Sequence, residues 1–188
     1  EMRQPKRHPA NPVVPRGAPG TPDAQGVQFY GSIIKEGGKY RLWYVAFDDD
    51  KENPVASDRW RAAYAESTDG LKWTKPNLGL VEYKGNKNNN LIDVDPSPLG
   101  FVNLKVLRDD EDPDPQRRYK ATGHVYFRHN TRLGTLAPFT SPDGLHWKMV
   151  RQVKTKGAEL LEKDLLLPAV HFEPSGGLYK WDGLFYAS

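Results

Sequence analysis

Alternation of apolar and polar positions runs through most of this chain, and it predicts strands joined by tight turns. G-V-Q-F-Y-G-S-I-I (26–34) and K-Y-R-L-W-Y-V-A-F (39–47) flank K-E-G-G-K, whose Gly pair supplies the positive φ of a hairpin turn. R-W-R-A-A-Y-A-E-S (59–67) predicts a third strand, and Asp69-Gly70 then turns the chain into L-K-W-T, a fourth. The pattern begins again at F-V-N-L-K-V-L (101–107), followed by Y-K-A-T-G-H-V-Y-F, L-G-T-L-A-P-F-T-S, Asp143-Gly144 and L-H-W-K-M-V. A third unit opens near L-L-L-P-A-V-H-F (165–172) and continues through G-G-L-Y-K-W and G-L-F-Y-A-S. Helical periodicity is confined to A-E-L-L-E-K-D-L-L (158–166), enough for a turn or two.

The units carry a shared signature. Ser-x-Asp-Gly-Leu-x-Trp occurs as S-T-D-G-L-K-W from Ser67 and as S-P-D-G-L-H-W from Ser141, 74 residues apart. Four antiparallel strands followed by a repeat is the arrangement of a propeller blade. The Asp-Gly pair is expected to turn the outer strands, with the Ser and Asp side chains accepting from the turn's backbone and the Trp filling space between blades. The expected fold is therefore all-β: a β-propeller of four-stranded antiparallel blades, with blade one at about 26–75, blade two at about 100–150 and the start of blade three at about 165–188. Propellers close at about 4–8 blades, so two and a half blades predict a piece of a longer protein.

Composition narrows the function classes. The 188 residues include no Cys, which excludes disulfides, thiol catalysis and thiolate metal sites. Five Trp and nine Tyr suit sheets packed through large flat side chains. The formal charge of +3 lies wholly in residues 1–22, a Pro-rich segment expected to run extended ahead of the folded part, 23–188. A balanced body argues against nucleic acid as a partner. No stretch approaches the roughly 18 apolar residues of a membrane span. Bare strand edges leave room for self-association. A chain that opens on Glu1 is expected to be processed or trimmed, and secretion or a periplasmic location is the expected address.

The run A-Y-A-E-S-T-D-G-L-K-W-T-K-P-N-L-G-L-V-E-Y-K-G-N-K-N-N-N-L-I (63–92), with R-Y-K-A-T-G-H (118–124) and E-P-S-G-G-L-Y-K-W-D-G-L-F-Y (173–186), resembles uncharacterised bacterial proteins related to five-bladed propeller glycosidases. That superfamily includes invertases, levanases, arabinanases and β-xylosidases. The resemblance runs from about residue 10 to the end and implies five blades in the full protein. It also implies three carboxylates at the mouth of the axial channel, one from each of the first three blades, with a blade-three Glu as general acid. Glycoside cleavage needs at least two carboxyl groups at a set spacing, and an acid whose pKa is raised by its surroundings.

Carried across by position, the resemblance matches one of the three. Tyr30 and Gly31 stand where blade one would place its Asp, Asn103 stands at the blade-two Asp, and Glu173 lies within one residue of the acid. Asp48, Asp49 and Asp50 occupy the loop expected to open on the same propeller face as the start of the innermost strand, and could supply a base. Asp23 could do so from the leading segment, while Asp164 and His171 flank Glu173. The D-D-D-K-E run lacks the Gly and terminal Glu of a calcium loop, and no pair of His sits at metal-ligand spacing, so neither metal nor other cofactor is expected. Each acid also has a plain alternative as a solvated loop or turn residue, and His171 as a core histidine. Tyr30 and Trp181 could stack on sugar rings or pack in the core. Two functions follow: a glycoside hydrolase-like protein acting through Glu173 and a base from Asp48–Asp50 or Asp23, or a carbohydrate-binding or scaffolding propeller that has lost its carboxylates. A third reading, a protein-interaction module, predicts no aromatic-lined pocket.

Overall fold

The computed structural model describes residues 4–48, 60–98, 100–127, 130–150, 166–167 and 176–188. The first sheet is antiparallel, in the order β1 (Gly26–Glu36), β2 (Lys39–Phe47), β3 (Trp60–Ser67). The second holds five strands in the order β4 (Asp93–Asp95), β8 (His146–Met149), β7 (Asn130–Ser141), β6 (Tyr119–Phe127), β5 (Gly100–Arg108). A hairpin of β9 (Leu178–Trp181) and β10 (Leu184–Ala187) forms the third, turning on Asp182 and Gly183 at positive φ.

Two strands differ from the alternation pattern. L-K-W-T contributes only a bridge between Thr74 and Glu66, because Pro76 follows and can neither donate to a ladder nor leave Lys75 free to turn. The vacated edge of β3 is taken by Asn90–Ile92, through bonds from Tyr64 N to Asn90 O and from Ile92 N to Ala62 O. The same segment continues into β4, which pairs in parallel with β8 and so ties the connection between the sheets to the outer edge of the second one. The predicted helical turn at 158–165 lies outside the described residues, as does most of the strand expected at 165–172. Among the described residues no helix is long and apolar enough to cross a membrane.

Five successive buried residues in β2, Leu42–Ala46, explain why its apolar run is nearly continuous: both faces of this sheet are covered. Trp43, Ala62 and Tyr64 pack with Leu104, Val106, Phe139 and Trp147 of the second sheet. Leu42, Tyr44, Ala46 and Ala65 pack on the opposite side with Tyr83 and Leu91, and the leading segment adds Val14 there.

The repeated turn is built identically in its two copies. The Ser67 hydroxyl accepts from Asp69 N and Gly70 N, Asp69 Oδ1 accepts from Leu71 N and Lys72 N, and Trp73 Nε1 donates to Gly70 O. Ser141, Asp143 and Trp147 repeat every one of these bonds, with His146 N taking the place of Lys72 N. The second copy also joins the sheets, since Trp43 Nε1 donates to Gly144 O at 2.7 Å and Arg41 donates to Asp143 O. Both turns lie at the end of the sheets opposite to the starts of β1 and β5.

Candidate functional site

In each of the two larger sheets the edge strand nearest its neighbour is the first of the meander, β1 or β5. They meet directly: Val106 N donates to Ser32 Oγ at 2.8 Å, and Lys105 Nζ to Gly31 O at 3.4 Å. Both strands are bulged. The β1–β2 register slips between Gln28 and Ser32, and the β5–β6 register slips between Phe101 and Asn103. A bulge bends a strand and re-aims its side chains. In β1 it turns Phe29 and Tyr30 outward, 59% and 39% exposed. Gly31 makes this possible: a Cβ there would sit 1.7 Å from Trp43 O, so only glycine lets the looped strand lie against β2. In β5 the bulge places Asn103, fully buried, with its Oδ1 accepting from His124 N at 2.8 Å. The His124 ring stacks on Tyr126.

The positions where the resemblance expects the first two carboxylates, Tyr30 and Asn103, therefore fall at corresponding irregularities of adjacent strands. The acidic candidates of the described residues are engaged elsewhere. Asp48, just past β2, has a buried carboxylate that accepts from Arg61, whose guanidinium lies over the Tyr83 ring. Asp23 is equally buried and accepts from Thr21 Oγ1 at 3.1 Å, from Tyr44 OH at 2.9 Å and from Lys75. Lys75 also reaches Pro15 O, so Asp23 pins the leading segment to the first sheet. Burial, with the Asp23 charge beside it, pushes the Tyr44 phenol well up, which keeps Tyr44 a donor to that carboxylate. Asp23 and Asp48 lie at one end of the sheet, where Gln25 N bonds Phe47 O.

Trp181 is 72% exposed on β9, in the third sheet. Glu173, Asp49, Asp50, Asp164 and His171 lie outside the described residues. Among the described residues no group of His, Asp and Glu could hold a metal ion. Two side chains near the bulges were not singled out from the sequence, Phe29 and Lys105. The signal for Lys105 is present in F-V-N-L-K-V-L, where a lysine and Asn103 are the two polar residues of an apolar strand.

Two cavities open beside these sheets. One of about 610 Å³ lies between the start of β3 and residues 80–98, lined by Trp60, Arg61, Glu82, Asp93 and Phe101 among others. The other, about 660 Å³, lies between the second sheet and the β9–β10 hairpin, and Thr122, Leu136, Pro138, Leu178 and Phe185 contribute to its wall.

No family model matches the sequence, and no curated protein matches it. Solved structures do. A glycosyl hydrolase from Bacteroides ovatus superposes with a TM-score of 0.51 at 18% identity, over 76% of this chain and 39% of its own. A structure reported for the GH130 family of mannoside phosphorylases, containing glycoside hydrolases that target β-1,2 mannosidic linkages in Candida mannan, gives 0.51 at 20%, over 77% and 40%. The Bombyx mori GH32 β-fructofuranosidase BmSUC1, as mutant D63A with sucrose, gives 0.48 at 15%, over 82% and 27%. The fold is part of a glycosidase-type β-propeller. The sheets are its blades, and the chain spans about two fifths or less of the length of these structures. At such identities the likeness extends to the fold alone.

Proposed function

We propose that this propeller acts on a glycan, as a glycoside hydrolase-like protein whose sugar site lies where β1 and β5 meet. The observation that carries the reading is the pair of bulges at the inner edges of two blades, the first of which leaves Phe29 and Tyr30 exposed. Exposed aromatic faces suit a sugar ring, which offers an apolar C–H face for stacking. Glu173, from the third blade, is the proposed general acid, and an acidic group from the 48–50 loop or Asp23 the proposed base. A base recruited from Asp23 or Asp48 must first give up its cation, Lys75 or Arg61.

That requirement favours a second reading, binding without cleavage. Asn103, buried against His124 N, brings no carboxylate that could stabilise an oxocarbenium-like charge. Sugar release from a panel of oligosaccharides, measured alongside Glu173→Gln and Tyr30→Ala, separates the two. The hydrolase reading expects release that Glu173→Gln abolishes. Release that survives this variant overturns the role of Glu173. Binding that Tyr30→Ala weakens, without any release, establishes the binding reading instead. A protein that neither releases nor binds any glycan overturns both.

A further inference from the structure

The cavity of about 610 Å³ is walled by both of the larger sheets. Trp60 and Arg61, at the start of β3, line it from the first. Asp93, which opens β4, and Phe101, at the start of β5, line it from the second, and Glu82 of the intervening connection completes the wall. Its size lies within the range of pockets that take a small ligand, about 300–1,000 Å³. The β5 register breaks just after Phe101, so the cleft and the second bulge share one strand. Further along that strand Lys105 meets Gly31, the neighbour of Tyr30. From Phe101 to Lys105 the strand rises about 13 Å, within the length of a short oligosaccharide.

The wall mixes an aromatic platform with acceptors. Trp60 is only partly buried, and its ring meets the Phe47 ring at 5.5 Å and 77°, edge against face. Phe47 can cover no more than one face of the indole while it fixes the tilt, which leaves a platform for an apolar C–H face. Glu82 and Asp93 are exposed, and among the described residues no donor engages either carboxylate. A carboxylate can accept from two sugar hydroxyls at once and offers no donor of its own. Arg61 brings a positive charge, but Asp48 already meets it. Two acids do not make a metal site here. The cleft is therefore rich in acceptors, which suits a neutral sugar unit and disfavours one with its own carboxylate or sulfate.

We propose that the cleft between the two blades is a second sugar subsite, taking a neutral unit of the same glycan that rests on the Tyr30 bulge. Trp60 stacks on that unit, and Glu82 and Asp93 accept from its hydroxyls. None of the three is asked to cleave a bond. The proposal rests on the carbohydrate reading above and deepens it: the ligand is an oligomer of uncharged sugars, long enough to pass from the bulge to the cleft.

The test is calorimetric titration of the complete chain with mannose and fructose disaccharides and hexasaccharides, and with a galacturonate hexasaccharide. For at least one neutral sugar the hexasaccharide should bind about tenfold tighter than the disaccharide, the level of one binding hot spot. The galacturonate hexasaccharide should bind about tenfold weaker than the neutral one. Trp60→Ala should remove the gain with length and leave disaccharide affinity in place. Because Trp60 also packs on Phe47, Glu82→Gln and Asp93→Asn supply variants at exposed positions. With an unchanged melting temperature, each should weaken the neutral hexasaccharide several-fold, and together they should narrow its lead over galacturonate. Equal binding of both lengths, a gain that survives Trp60→Ala or the paired acid variant, or galacturonate bound as tightly as the neutral hexasaccharide overturns the subsite. Disaccharide binding that Tyr30→Ala weakens would, in that case, leave the carbohydrate reading standing. No binding of any probe by the native chain would remove both.

Discussion

Arg41→Met tests whether the two described blades are held together by one partly buried cation. The Arg41 guanidinium donates to Tyr64 OH at 3.0 Å, Glu36 at 3.0 Å, Tyr119 OH at 2.7 Å and the Asp143 carbonyl, and it lies over the rings of Trp43, Tyr64 and Tyr119. Two of those partners, Tyr119 and Asp143, belong to the second blade. Burial, with Glu36 beside it, pushes the Tyr119 phenol up to about 12, so it stays protonated across the working range. Methionine keeps the volume of the stem and removes every donor. Glu36 would retain Arg108 at 2.8 Å, so its carboxylate is not stranded, which keeps the loss below that of a fully broken buried pair. Three bonds at about 1 kcal/mol and one to a carboxylate at about 1.5 kcal/mol or more set the gross loss, and solvent at the partly exposed rim reduces it to about 3 kcal/mol. For a chain of this size that is a fall of roughly 6–12 °C in Tm. Urea unfolding gives the free energy, and a double-mutant cycle with Tyr119→Phe isolates the part that crosses the blades. A loss within about 0.5 kcal/mol, or a coupling of zero, refutes the idea that Arg41 joins them.

Two further perturbations follow from named geometry. Gly31→Ala would drive a Cβ into the Trp43 carbonyl, backbone against backbone, so the β1 bulge must open; we expect a cost of about 2–3 kcal/mol by urea unfolding, as for other overpacked interiors, and a loss of Tyr30-dependent glycan binding. Acid should destabilise the blade junctions: burial raises the carboxyls of Glu36 and Asp109, but the bonds from Tyr119, Arg41 and Arg108 to the first and from Lys180 and Lys120 to the second outweigh it and hold both below their ordinary values. Their contribution is present above the unfolded value, about 4, and lost as the pH falls through the folded one. Tm should therefore drop from about pH 4 downward, less steeply in Glu36→Gln, and a flat Tm to pH 3 would show these bonds contribute nothing.

What the sequence revealed and what it hid divide along a physical line. Periodicity two, Asp-Gly turns and the 74-residue offset suffice for the strands and for the kind of fold, because each is a local consequence of pleat geometry and turn chemistry. β4 was not legible, since a parallel pairing of three residues leaves no alternation to read. Nor was the fate of L-K-W-T, where Pro76 decides and Asn90–Ile92 replaces it. The site was harder. F-Y-G-S-I-I and F-V-N-L-K-V-L look like ordinary strands, and their bulges depend on which partner residues they meet. Asp23 and Asp48 look like loop acids, and only folding brings Lys75 and Arg61 to them.

The two blades also divide their duties by end. At the end carrying the repeated turns, the turn groups are partnered within the chain: Ser and Asp close the turn, and Arg41 and Trp43 clamp the second copy. Such an arrangement favours stability. Toward the start of β1 and β5 the ladder is interrupted in both blades, and two aromatics stand in the open. Interruptions of this kind forfeit ladder hydrogen bonds, and a fold under no other demand would close them. The strand that forgoes them in the first blade gains exposed aromatic faces on which a sugar ring can rest, which is why Tyr30→Ala is the variant that weighs the glycan reading most directly.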